Sequence, residues 1–159
     1  MIHAIAFTPD GEYLAGGFRD GKVRFWEVES HELVSTIDFD SHGGNYNLTF
    51  SPDAKTLAAS EPDLGREIYL FDLDDGTRRR VLDPEGRVSR MEFSPDGTML
   101  AYGKFDGTVE ILDAEGWTTL SSLEHDDTIQ GLAFAPDGKK LAVASRAGEL
   151  YQYQIGKPE

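Results

Sequence analysis

A five-residue phrase recurs four times along this chain, as Phe7-Thr8-Pro9-Asp10-Gly11, Phe50-Ser51-Pro52-Asp53-Ala54, Phe93-Ser94-Pro95-Asp96-Gly97 and Phe134-Ala135-Pro136-Asp137-Gly138. Its phenylalanines are 43, 43 and 41 residues apart, a period that marks an array of one supersecondary unit. Units of this kind stack on their neighbours and leave their loops free for binding, so the repeat constrains architecture far more than ligand.

The third unit reads most clearly. Val88, Met91 and Phe93 precede the Pro95-Asp96-Gly97 turn, and Met99, Leu100, Ala101 and Tyr102 follow it, which predicts strand, tight turn, strand. A second turn at Asp106-Gly107 leads into residues 108–112, where β-branched and polar residues alternate, and residues 118–123 supply a fourth strand. Leu14-Ala15, Leu57-Ala58 and Leu141-Ala142 repeat the second strand, and residues 23–28, 68–73 and 150–155 repeat the third. The fourth strand recurs at 33–39 and 78–82 and is missing from the last unit, so 15 strands are expected. No segment holds a helical period, which makes the class all-β. The expected organisation is a single domain, 1–159, of four units at about 1–39, 45–82, 88–123 and 129–155.

A four-stranded antiparallel meander of about 40 residues, with Phe-Ser-Pro-Asp-Gly after its first strand and an aromatic-acidic pair in its third, resembles the WD-repeat β-propeller family. The matching pairs here are Trp26-Glu27, Phe71-Asp72, Leu112-Asp113 and Tyr153-Gln154, and the dipeptide before the first strand is eroded to Ser41-His42, Asp83-Pro84 and Glu124-His125. The resemblance implies blades that stack through Phe7, Trp26, Phe50, Phe71, Phe93, Leu112, Phe134 and Tyr153. It also implies a His, Ser or Thr, Asp and Trp brace within each blade. No blade keeps all four: the first has Asp20 and Trp26 but Gly16 at the hydroxyl position, and the fourth has His125 but Ala147 and Tyr153.

Four blades are fewer than the seven or eight usual in that family. A half-ring of four would leave two apolar blade faces bare, at a gross cost on the order of 10 to 20 kcal/mol if each carries several hundred Å². The preferred assembly is a homodimer that completes an eight-bladed ring. The alternatives are a fragment of a longer chain, a half-ring completed by a different polypeptide, or a closed four-bladed ring.

Composition narrows the partners. Fifteen basic against 29 acidic residues give a net charge of −14, which repels nucleic-acid phosphates and anionic lipid. No apolar run approaches the ~20 residues of a membrane span. Met1-Ile2-His3-Ala4 enters the repeat without a basic-then-apolar leader, so a cytoplasmic location is expected. The absence of cysteine excludes disulfides, thiolate metal sites and cysteine nucleophiles. The four histidines fall in different units, and Asp72-Leu73-Asp74-Asp75-Gly76 lacks the spacing of a calcium loop, so neither a metal nor a cofactor is expected.

The resemblance implies one loop face, built from the connections at 40–45, 83–87 and 124–128 together with 17–20, 60–67, 104–106 and 145–148. Arg19, Arg66, Lys104 and Arg146 give each loop of the second group one cation, with Arg87, His42 and His125 in the first group. Such a ring suits an acidic or phosphorylated peptide, arginine adding bidentate geometry. The alternative is that each is a solvated loop charge paired with a neighbour such as Asp20, Glu67 or Asp106. Arg78-Arg79-Arg80 reads as charge on an outer strand that discourages edge pairing. The leading function is a non-catalytic protein or peptide interaction scaffold. A structural or regulatory half-propeller of a larger signalling protein comes second. A hydrolase-type propeller enzyme, with Glu61, Asp63, Asp126 and Asp127 as its first candidate acids, comes third.

Overall fold

The computed structural model describes residues 1–38, 47–60 and 67–155. Its fifteen strands form four antiparallel meanders in chain order, and no helix occurs among the described residues. The first sheet holds β1 (Ile2–Phe7), β2 (Tyr13–Phe18), β3 (Lys22–Glu27) and β4 (Leu33–Asp38), and the second holds β5 (Asn47–Phe50), β6 (Thr56–Ser60), β7 (Ile68–Asp72) and β8 (Arg78–Leu82). The third holds β9 (Val88–Phe93), β10 (Met99–Lys104), β11 (Val109–Asp113) and β12 (Thr119–Leu123). The last has three strands among the described residues, β13 (Ile129–Phe134), β14 (Lys140–Ser145) and β15 (Leu150–Gln154). The chain divides into two compact units, Met1–Glu85 and Gly86–Glu159, each with two sheets.

The recurring phrase is a turn with its hydrogen bonds built in. In the third sheet the Ser94 hydroxyl donates to Asp96 Oδ1 at 2.7 Å and accepts from the Met99 amide at 2.9 Å, while the same Asp96 oxygen accepts from the Thr98 amide at 3.0 Å. Proline presets φ before the aspartate, and glycine takes the left-handed position, at φ of 74°, 70° and 68° for Gly11, Gly97 and Gly138. Ser51 and Asp53 repeat the arrangement at 2.6 Å, and Thr8 with Asp10 does so in the first sheet. Ala54 holds the same left-handed conformation at φ 57° without glycine's freedom.

Alternation along each strand sends one set of side chains into the space between sheets. In the first unit Ala15, Val23, Phe25 and Ile37 of the first sheet meet Phe50, Leu57, Ala59 and Phe71 of the second, and the Phe25 and Phe50 rings pack edge-on at 6.3 Å. In the second unit Met99, Ala101, Val109 and Ile111 meet Ile129, Phe134, Leu141 and Val143. Contact there is close enough that a Cβ on Gly103 would lie 2.4 Å from Ile129 Cγ2.

The residues expected to stack are placed unequally. Phe50, Phe71, Phe93, Leu112 and Phe134 are buried, and Trp26 and Tyr153 are half-buried. Phe7 stands apart: it is 61% exposed, where Phe50 and Phe134 are each 8% exposed. Phe50 and Phe134 each reach back to the sheet that precedes them, and none of the described residues of the first unit covers the equivalent side of β1.

Candidate functional site

One backbone hydrogen bond recurs where the second strand of a sheet turns into the third. The Arg19 amide donates to Met1 O at 3.0 Å, Phe105 to Arg87 O at 3.0 Å, and Arg146 to Thr128 O at 2.8 Å. Each bond ties that turn to the residue leading into the first strand, so the two groups of connections meet at the same end of the first, third and last sheets. Arg19, Phe105 and Arg146 are therefore equivalent positions, each two residues before a left-handed glycine, Gly21, Gly107 or Gly148.

This register corrects the expected ring of cations at its third member. Lys104 is the last residue of β10, not a loop residue, and its side chain is only 6% exposed, with the ammonium 2.9 Å from Glu110 Oε1. The Tyr102 hydroxyl donates to the other Glu110 oxygen at 2.7 Å. Burial works to raise the Glu110 carboxyl, but the Tyr102 hydroxyl and the Lys104 ammonium together hold it below its ordinary value, and burial beside that carboxylate pushes the Tyr102 phenol up. The true loop position belongs to Phe105, which is 43% exposed, and Arg87 supplies the missing cation by lying 4.6 Å above its ring.

Arg19 and Arg146 are exposed, and neither makes an ion pair among the described residues. Asp20, the neighbour expected to neutralise Arg19, is instead held by both guanidinium nitrogens of Arg24, at 3.1 and 2.6 Å. Asp106 accepts from the Thr108 amide at 2.9 Å, closing its own turn. Arg66 and His42, along with Glu61 and Asp63, lie outside the described residues. His125 is tied into the fold by both ring nitrogens. Its Nδ1 sits 3.0 Å from Gly107 O, which can only accept, so Nδ1 donates there, and Nε2 lies 3.0 Å from the Tyr153 hydroxyl. Gly107 admits no side chain at this junction, since a Cβ there would stand 2.1 Å from the His125 carbonyl oxygen.

Similarity to known proteins falls on the same repeats. Residues 1–27 and 117–153 match the WD domain, G-beta repeat, and residues 77–128 match the WD40 domain of anaphase-promoting complex subunit 4. The chain belongs to the WD-repeat family. WD repeat-containing protein SL1-17 of Schistosoma mansoni is 27% identical over 155 residues, covering 97% of this chain and 50% of that protein. Serine-threonine kinase receptor-associated protein of Gallus gallus is 25% identical over 161 residues, covering 100% of this chain and 44% of that protein. Target of rapamycin complex subunit wat1 of Schizosaccharomyces pombe is 27% identical over 141 residues, covering 87% and 44%. This WD-repeat chain thus spans half or less of the length of these relatives.

The polar brace of this WD-repeat chain is rebuilt differently in each sheet, at one equivalent position of the third strand. Arg24 takes it in the first sheet, gripping Asp20 and lying 4.4 Å over the Phe18 ring. Tyr69 donates to Glu67 in the second, and Glu110 joins Lys104 and Tyr102 in the third. Tyr151 donates to Glu149 in the last, a bond that helps push its phenol up to about 12. Sequence reasoning missed these braces, and it missed Phe105. The spacing to Gly21, Gly107 and Gly148 was the signal that would have aligned Phe105 with Arg19 and Arg146.

Proposed function

We propose that this chain is a non-catalytic WD-repeat interaction scaffold that captures an acidic or phosphorylated segment of a partner protein at its loop ends. The observation that carries the reading is the pair of exposed arginines without ion-pair partners, Arg19 and Arg146, at equivalent turns, with Arg87 held over Phe105 at the third. An exposed cation fixed at a turn, next to an aromatic ring, offers a carboxylate or phosphate both charge and a platform. The names of the relatives, a serine-threonine kinase receptor-associated protein and a target of rapamycin complex subunit, fit a role in bringing proteins together.

In this proposal the four sheets are consecutive blades of one domain, and a second copy completes an eight-bladed ring. The bare sides of the first and last sheets support it. Ile5 and Phe7 are 64% and 61% exposed on one, beside Trp26, and the other presents the small residues Gly131, Ala133 and Ala142 around Leu150, itself 77% exposed. Large residues on one and small residues on the other repeat the complementarity of Phe50 and Leu57 with Ala15 and Val23 inside the first unit. A second reading, closure by further blades of a longer polypeptide, is favoured by the greater length of the relatives.

The test is fluorescence anisotropy with a labelled Glu-rich peptide and its phosphoserine counterpart. Arg146→Glu is expected to weaken capture by about tenfold, and more at low salt, because like charges then face each other. Unchanged affinity in both Arg19→Glu and Arg146→Glu would remove the loop cations from any binding role. Light scattering separates the assemblies: a mass near twice the 17.6 kDa of the chain supports the homodimer, and a monomer overturns it.

A further inference from the structure

On the first unit, away from the loop ends, a groove of about 450 Å³ runs between β4 and the turn that joins β7 to β8. That volume lies within the ~300–1,000 Å³ of sites that enclose a ligand. Its floor is apolar, made by Phe25, Val34, Ile37 and Leu73. Its rim is acidic, with Asp10 on one side and Asp74 and Asp75 on the other. Past Ser35 and Asp75 the hollow continues toward Phe71 and Arg78, so an elongated ligand has room to lie along it.

Three features determine what such a groove would accept. First, the carboxylates keep acceptor oxygens to spare. Asp10 and Asp75 each employ only Oδ1 in their own turns, accepting from Thr8 and Glu12 and from Thr77, and the Asp74 side chain has no partner among the described residues. The Thr8 and Thr77 hydroxyls hold the Asp10 and Asp75 carboxyls below the usual carboxylate range. Second, Val34 is 50% exposed, an apolar side chain at the mouth with nothing over it in the described residues. Third, β4 is an outer strand, paired among the described residues to β3, so its far edge offers backbone groups along residues 33–37.

We propose that this groove is a second binding site, of opposite sign to the loop ends, for an extended protein segment that carries an apolar side chain between lysines or arginines. The apolar residue fills the space above Phe25 and Ile37, the flanking cations reach the Asp10 and Asp74–Asp75 rims, and the segment's backbone runs beside β4 as an added strand. An acidic rim around an apolar floor rejects the acidic segments that suit Arg19 and Arg146, so the two sites sort partners by charge. The site does not depend on the loop-end reading or on ring closure.

The experiment uses the whole chain and a fluorescein-labelled peptide with a Leu-Val pair between two Lys pairs, read by anisotropy at two salt concentrations. Saturable binding is expected, weakened about tenfold by Asp74→Lys and about fivefold by Val34→Ser. Glu115→Lys, which makes the same charge change at an exposed turn of the second unit, is expected to leave Kd within about twofold. Val34→Ser tests the floor at an exposed position, so it keeps the proposal open to refutation if Asp74→Lys fails to fold. Equal weakening by Glu115→Lys would mean general attraction to a chain of charge −14 and would overturn the site. So would equal binding of the same peptide with Glu flanks, or no saturation up to about 1 mM.

Discussion

The Lys104 ammonium lies 2.9 Å from Glu110, in a side chain with 6% of its surface exposed. A pair this dry depends on both members being present, because either one alone is a stranded charge. Lys104→Ala is therefore expected to cost about 3 kcal/mol at neutral pH, read from denaturant melts. The sign of the pH effect follows from Glu110, whose carboxyl is held below its ordinary value in the fold. A depressed acid contributes stability above its unfolded pKa and loses it as pH falls through its folded value. The gap between Lys104→Ala and the parent should accordingly narrow in acid, where Glu110 is neutral in both. A gap that stayed constant would mean that lost packing, not charge, causes the cost. The recurring turn was legible residue by residue, since serine, proline, aspartate and glycine each have a separate task in it. Lys104 and Phe105 were not. A shift of one residue moves a strand side chain to the other face, and a lysine beside a turn looks the same in either register.

At the level of strands and sheets, period-two alternation and turn residues gave fifteen strands in four meanders, with the last lacking its outer strand. Boundaries drifted where polar strand ends run into turns, as at Gly17, Ser60, Lys104 and Ser145, all of which belong to second strands. How closely two sheets approach was invisible in the sequence, because a glycine inside a strand reads equally well as a weakness or as a contact. Gly103 is a contact. Its missing Cβ would stand 2.4 Å from Cγ2 of Ile129, a residue with no exposed surface. Gly103→Ala should lower stability by about 1–3 kcal/mol through overpacking. Ile129→Ala in the same chain should recover part of that loss, so a thermal-melt double-mutant cycle with purely additive effects would contradict the contact.

For the molecule as a whole, the bare side of the first sheet carries a prediction separable from folding. Phe7 is 61% exposed in the chain as it stands, so Phe7→Glu should change the stability of an isolated chain by no more than about 0.5 kcal/mol. If a second copy covers that side, the same substitution should raise the dissociation constant at least about tenfold, read as loss of the heavier species in light scattering. A dimer indifferent to Phe7→Glu would have to form elsewhere. Membership of the WD-repeat family was legible because the phrase and its spacing are local. The partner was not, because the loop ends that would meet it differ from repeat to repeat.

Phe50 faces backward onto Phe25, and Phe134 faces backward onto the third sheet, so every repeat has a front and a back. Such an object has polarity, and the ring proposed above needs the front of one copy on the back of the next. In that arrangement the contacts are heterologous, and only the angle turned at each step separates a finished circle from an open fibre. Inserting or deleting a single repeat would therefore do more than lengthen the chain. It would change the number of steps needed to return to the start, and could convert a discrete particle into a polymer without altering any contact surface.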